Sequence, residues 1–210
     1  MYSDAIQLHV FSDYICPFCY IANKRLQQLD QNFNLSIHWY HIEIHPDIPE
    51  HGIELSDLTY QSSPMRSVMH SVNQLSHEDN ISLKLPNHIP KSQKALLLAE
   101  AAKQCGDKRY NQLHNLLFSS FYSDDIDIGD NDHLLAIAAE CDIPSTIAYQ
   151  AWRDPHYQSR LQQNHYLARQ MGIHATPAFI VGEQVLLGVQ SIELLHDCFM
   201  NSKQVRRYAN

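Results

Sequence analysis

Ile6, Leu8 and Val10 alternate with Gln7 and His9, the two-residue period of a strand across residues 5–11. The period then changes. Cys19, Ala22, Leu26, Leu29 and Phe33 recur at helical spacing, with Asn23, Lys24, Arg25, Gln27 and Gln28 between them. Residues 35–44 return to a strand pattern that is apolar on both sides, with Leu35, Ile37 and Trp39 on one face and Tyr40, Ile42 and Ile44 on the other. Two apolar faces predict a covered central strand. The helical connection between the two strands predicts a right-handed parallel crossover.

From His45-Pro46 to about Thr59 the pattern breaks, with Pro49 and Gly52 inside the gap, and helices follow. Ser63-Pro64 opens one, with Met65, Val68, Met69, Val72 and Leu75 on a single stripe. Pro86 and Pro90 mark a loop, after which Ser92 is a candidate cap for a helix carrying Ala95, Leu98, Ala99 and Ala102, stopped by Gly106. Tyr110, Leu113, Leu116, Leu117 and Phe121 mark the next; segments 130–141 and 145–152 follow, and Pro155 begins a long helix ending near Gly172. Within this block only Ile81-Ser82-Leu83 reads as a strand. The tail predicts a tight hairpin, residues 178–181 and 185–187, and then a closing helix capped by Ser191 with Ile192, Leu195, Cys198 and Phe199 on its buried face. The order is strand–helix–strand, helical block, strand–strand–helix. That is an α/β chain ordered as a thioredoxin-type sheet split by a large helical insertion. The expected division is a discontinuous thioredoxin-like domain, 1–45 and 173–210, around an inserted helical subdomain, 46–172.

A length of 210 residues suits one domain carrying such an insertion. The net charge of −8 excludes a general nucleic-acid or anionic-membrane surface, and Arg206-Arg207 reads as a solvated tail. No stretch has the length of a membrane span. Met1-Tyr2-Ser3-Asp4 carries no basic n-region and no long apolar run follows it. Five irregularly spaced cysteines do not make a secreted disulfide framework. A cytoplasmic protein is expected, its oligomeric state open.

Chemistry concentrates at Cys16-Pro17-Phe18-Cys19, where the first strand gives way to the first helix. Two thiols at this spacing close a small disulfide, and a structural zinc would need two more ligands that the isolated Cys105, Cys141 and Cys198 do not supply as a second knuckle. Pro17 suits the first helical turn. Cys16 then sits at a helix N-terminus, where free amides and the helix dipole favour thiolate over thiol. Immediately before the hairpin stands His174-Ala175-Thr176-Pro177, whose proline removes a ladder donor and holds Thr176 extended. His41, Glu43 and His45 would share one strand face, a permissive trio read as a cleft-lining strand end rather than a metal site. Cys105 and Cys141 read as inert thiols rather than a second redox pair. Asp13 has two readings, tuning Cys16 or shaping the turn before it.

The run Asp13-Tyr14-Ile15-Cys16-Pro17-Phe18-Cys19-Tyr20-Ile21-Ala22, Pro86-Asn87 before an Ala/Leu-rich helix, and Gly172-Ile173-His174-Ala175-Thr176-Pro177-Ala178-Phe179 resemble the DsbA-like thiol oxidoreductases, and more narrowly their FrnE-type branch. Phe18 stands where that branch commonly has Trp, and Ala22 and Ala175 where it often has Gly. The resemblance implies a thioredoxin-like fold and thiol–disulfide exchange, with Cys16 as nucleophile and Cys19 as resolving thiol. It implies that Pro17, Phe18, Ala175, Thr176 and Pro177 contact substrate, Thr176-Pro177 forming a cis-proline loop opposite the cysteines. No bound cofactor is implied; partners would be protein or peptide thiols and disulfides, with glutathione a candidate redox partner. Strongly oxidising exported relatives carry His between the cysteines, so Pro17-Phe18 does not imply strong oxidising power. Two alternatives share the architecture. One is a glutathione-dependent transferase or isomerase of the kappa and hydroxychromene-carboxylate type, which places Ser where Cys16 stands. The other is a non-enzymatic peptide-binding module.

Overall fold

The computed structural model describes residues 5–55 and 63–208, apart from the side chains of 63–65 and 203–208. At its start the chain follows its periodicities. β1 (Ile6–Ser12) turns into α1 (Pro17–Asp30), and β2 (Leu35–His41) returns parallel to β1, Ile6 opposite Leu35 and Ser12 opposite His41. A small antiparallel pair, β3 (Ile53–Glu54) and β4 (His88–Ile89), brackets α2 (Ser63–Glu78). Then come α3 (Gln93–Ala102), α4 (Asp107–Tyr122), α5 (Asn131–Glu140), α6 (Ser145–Arg153) and α7 (Pro155–Gln170). The hairpin β5 (Ala178–Val181) and β6 (Gln184–Leu187) and the helix α8 (Ile192–Tyr208) close the chain. Arg206 and Arg207 fall within α8, and the solvated-tail reading concerns side chains outside the description, as does Met65 of the α2 stripe.

The sheet order is β2-β1-β5-β6, with β5 antiparallel to both neighbours. This corrects the expectation for β2, which lies at the edge. Its second apolar face is explained by side cover: Trp39 is buried in the main core, while Tyr40 and Ile42 pack with Phe11, Ala178 and Ile180 on the other side of the sheet. Ala168 of α7 and Ile173 complete that second layer, so α7, counted above with the insertion, lies across the sheet. Residues 81–83 form no strand. Ile81 N–H closes onto Ser76 O and Lys84 N–H onto Tyr122 O, leaving the segment extended but unladdered.

Leu8, Val10, Phe179 and Val181 on one sheet face share a single core with Leu26, Leu96, Leu113, Phe118, Leu195 and Phe199, so the insertion and the sheet pack as one body. α3 is its centre; Ala95 to Ala99, Ala101 and Ala102 are all buried, as expected of a helix apolar on every side. Arg25 fastens α1 from below. Its Nε meets Asp79 Oδ2 at 2.6 Å and its Nη1 donates to Gln190 O at 2.6 Å, tying α1 to the end of α2 and the start of α8. The 3-10 turn Lys103–Cys105 follows α3 and stops at Gly106, whose φ of +92° a side chain rarely adopts.

Candidate active site

β1 delivers Asp13, Tyr14 and Ile15 into a tight turn, and Pro17 takes the first helical position of α1, so Cys16 becomes the residue flanking the helix N-terminus. Its backbone carbonyl accepts from Cys19 N–H at 3.0 Å and Tyr20 N–H at 3.2 Å. Both thiols are nearly enclosed, Cys16 4 % and Cys19 1 % exposed. From the far end of the chain the Thr176–Pro177 peptide, which is cis, brings Thr176 O to 3.5 Å from Cys16 Sγ, which donates to it. The two halves of the site, separated by most of the chain, therefore meet at β1 and β5.

The two thiols are electrostatically unlike. A hydrogen bond from Cys19 holds the Cys16 pKa below its ordinary value despite burial, helped by the Thr176 hydroxyl and the Cys19 amide. Burial pushes Cys19 well above its ordinary value, and the neighbouring Cys16 pushes it further. The pair titrates as a unit, with the first proton leaving Cys16. Three buried hydroxyls, of Ser12, Tyr122 and Thr176, have no hydrogen-bond partner of standard geometry. All three lie close to the sulfurs: the Ser12 and Thr176 hydroxyls lower Cys19, and the charges of both cysteines raise Tyr122.

Asp13 fulfils both of its sequence readings. It is fully buried; Oδ1 accepts from Ile15 N–H at 3.3 Å, and Oδ2 accepts from Ile44 N–H at 2.9 Å and Ser92 Oγ at 3.0 Å. The carboxylate thus ties the active-site turn to the segment after β2 and to the start of α3. Burial drives its pKa up to about 7 against the pull of those hydrogen bonds, and its negative charge raises Cys16. Ser92 precedes α3 as expected but does not cap it, because its hydroxyl is committed to Asp13.

Tyr14 is buried beside the turn and shares a hydrogen bond of 2.9 Å with His114 Nδ1. His41 Nε2 lies 3.0 Å from Tyr110 OH, and the Tyr14 ring stacks on His41 with centroids 5.3 Å apart. Burial keeps both imidazoles neutral, His114 pushed down to about 3 and His41 well below the usual range. The trio His41, Glu43 and His45 does not assemble on a strand face. β2 ends at His41, and Glu43 turns to Lys91 and Gln93. Among the described residues no group of three or more His, Cys, Asp or Glu could hold a metal ion. Cys105, Cys141 and Cys198 are free; Cys141 and Cys198 are buried, and burial raises both.

Of the residues expected at the substrate face, Pro17 and Phe18 are half-buried, Ala175 is exposed and Thr176 half-buried, while the Pro177 ring lies inside. Ser12, Tyr122, Ile44 and Ser92 were not anticipated from the sequence. Ser12 adjoins the conspicuous Asp13, and Ser92 carried only the signal of a helix cap.

A model of the DSBA-like thioredoxin domain matches residues 7–199. The chain belongs to that family. Its fold resembles a probable DsbA oxidoreductase from Streptomyces coelicolor, with a TM-score of 0.81 and 16% identity over 94% of this chain and 89% of that one. It also resembles a 2-hydroxychromene-2-carboxylate isomerase, with a TM-score of 0.77 and 14% identity over 98% and 100% of the two chains. In sequence it is 25% identical over 187 residues to the uncharacterized protein YwbO of Bacillus subtilis (strain 168), covering 87% of this chain and 90% of that protein.

Proposed function

We propose that the protein exchanges disulfides with protein, peptide or small-thiol substrates through Cys16 and Cys19. The observation that carries this reading is the split between the thiols: Cys16 lowered at a helix N-terminus beside Thr176 O, Cys19 raised behind it. The Cys16 thiolate attacks one sulfur of a substrate disulfide; that bond breaks, and the second sulfur leaves as a thiolate. Cys19 then attacks Cys16 Sγ, passing its proton to the departing sulfur, and the mixed disulfide breaks. The substrate gains two electrons, which the protein's dithiol gives up in forming the Cys16–Cys19 disulfide. Glutathione is the thiol proposed to restore the dithiol; the reverse sequence oxidises a substrate dithiol. Direction follows from the pair's potential against its compartment.

The test is the redox equilibrium of the pair against a glutathione series, read by alkylation mass shift. A reversible two-electron transition is expected, abolished in Cys16→Ser, with Cys19→Ser trapping a mixed disulfide. Turnover retained in Cys16→Ser overturns the reading.

A further inference from the structure

β2 is an edge strand, and its outer edge is only partly closed. Ile6 N–H pairs with Asn34 O and Ile42 N–H with Ser12 O, so the even-numbered residues of β2 address β1 and the odd-numbered ones point outward. Two outward carbonyls are taken: Lys103 Nζ donates to Trp39 O at 2.7 Å and Asn164 Nδ2 to His41 O at 3.1 Å. Among the described residues nothing comparable reaches Ile37. Covering an edge strand with groups from a neighbouring helix or loop is a familiar guard against strand addition. A complete guard would also cover the Ile37 N–H and C=O and the Trp39 N–H, and here both residues line a cleft of about 380 Å³.

The charges around this cleft are asymmetric. Glu100 is already engaged, its two oxygens accepting from Lys103 at 2.8 Å and Asn164 at 3.0 Å. Lys103 is half-buried and shares the cleft with a second cation, Arg160, whose charge disfavours its own. Arg160 is exposed at the cleft and makes no ion pair among the described residues. Asp107, also at the cleft, sits in the first turn of α4, where that helix's own N-terminus stabilises it. An incoming carboxylate between Lys103 and Arg160 would relieve the repulsion between them. The open backbone run, ending where Lys103 closes the edge, presents donor, acceptor, donor at strand spacing.

We propose that this cleft binds the C-terminal residues of an extended peptide, which add to the β2 edge along Ile37–Trp39 and place their terminal carboxylate on Lys103 and Arg160. Main-chain hydrogen bonds to an exposed edge and capture of a chain terminus are both established modes of peptide recognition. The site is separate from the dithiol and does not depend on the redox reading. It lies next to Tyr110, whose hydroxyl bonds His41, on which Tyr14 of the active-site turn is stacked.

The probe is N-acetyl-tetra-alanine with a free C-terminus, titrated into the full chain with the backbone amides followed by nitrogen-resolved NMR. Shifts at the Ile37 and Trp39 amides that saturate together are expected, weakened about tenfold for the C-terminally amidated peptide and by a similar factor in Arg160→Ala. Arg160 is exposed, and its truncation is expected to leave the amide spectrum elsewhere unchanged. Acetate alone is expected not to compete. Absence of the two shifts, equal binding of acid and amide, an unchanged affinity in Arg160→Ala, or acetate binding as well as the peptide would each overturn the proposal.

Discussion

Asp13→Asn isolates the buried carboxylate beneath the active-site turn. Moving this group from the usual 3.8 to about 7 disfavours its charged form by about 4 kcal/mol. Between those two values the folded chain holds a proton that the unfolded chain has released. The contribution of Asp13 to stability therefore falls as pH rises through the window, by about 1.4 kcal/mol per pH unit, and is fully lost above pH 7. His41 and His114 have opposite slopes over an overlapping range, so wild type alone does not reveal the effect. The difference between variant and wild type does. Urea unfolding followed by the fluorescence of Trp39 and Trp152, from pH 4.5 to 8, is expected to show the variant gaining on wild type by about 3 kcal/mol overall, the remainder of the shift lying below pH 4.5. The variant starts from a deficit at low pH, since an amide nitrogen facing the Ile15 or Ile44 N–H replaces an acceptor. A difference that stays flat between pH 5 and 7 refutes the reasoning. A carbon NMR titration of the Asp13 carboxyl in wild type, expected to turn near pH 7, keeps the test decisive if the variant folds poorly. Removing the charge also lowers Cys16 further, so iodoacetamide alkylation of folded variant at pH 7.5 is expected to be faster.

Three other perturbations follow from the same geometry. His114 is depressed from 6.5 to about 3, so the stability it contributes is present above 6.5 and lost as pH falls toward 3, about 5 kcal/mol in all; His114→Gln is expected to flatten the acid limb of a circular-dichroism titration, and an unchanged limb argues against a buried neutral imidazole. Arg25→Met leaves the Asp79 carboxylate and the Gln190 carbonyl without their partner and is expected to cost about 3 kcal/mol in urea unfolding at neutral pH; a loss below 1 kcal/mol would place the pair among weak surface bridges. Thr176→Val removes a hydroxyl that lowers Cys16, so the alkylation-rate titration of Cys16 is expected to move to higher pH with little change in stability; an unmoved midpoint would show that hydroxyl to be idle.

What was legible along the chain was local. The switch from period two to helical period at Cys16 placed that thiol at a helix start, and Thr176-Pro177 before a hairpin placed the segment opposite it, because both signals lie within a few residues of the groups they position. The position of β2 was not legible. Its alternation shows two apolar faces whether a strand is central or is an edge wrapped by Trp39 on one side and α7 on the other; the order is decided by β5, which inserts beside β1 from the far end of the chain. Ser92 failed as a cap for a related reason. Its position in sequence is correct for one, yet its hydroxyl answers a carboxylate 79 residues away, and no pattern local to α3 contains that partner.

The unpartnered hydroxyls of Ser12, Tyr122 and Thr176 belong to the same class of fact, and they bear on what the site is for. A buried hydroxyl left unpaired costs on the order of 1–3 kcal/mol, and folded proteins keep few of them. Here three gather around two thiols, which are weak acceptors while protonated. Ionisation of Cys16 changes that balance for Thr176, whose hydroxyl lowers Cys16 and is placed to donate to the thiolate. That hydroxyl is therefore better satisfied once Cys16 carries charge. Cys19, raised by burial, remains the protonated member and donates across the pair. Under the proposed exchange reading, the Thr176 hydroxyl that packing leaves without a partner stands beside the sulfur that would attack first, which would tie a feature of the core to that step.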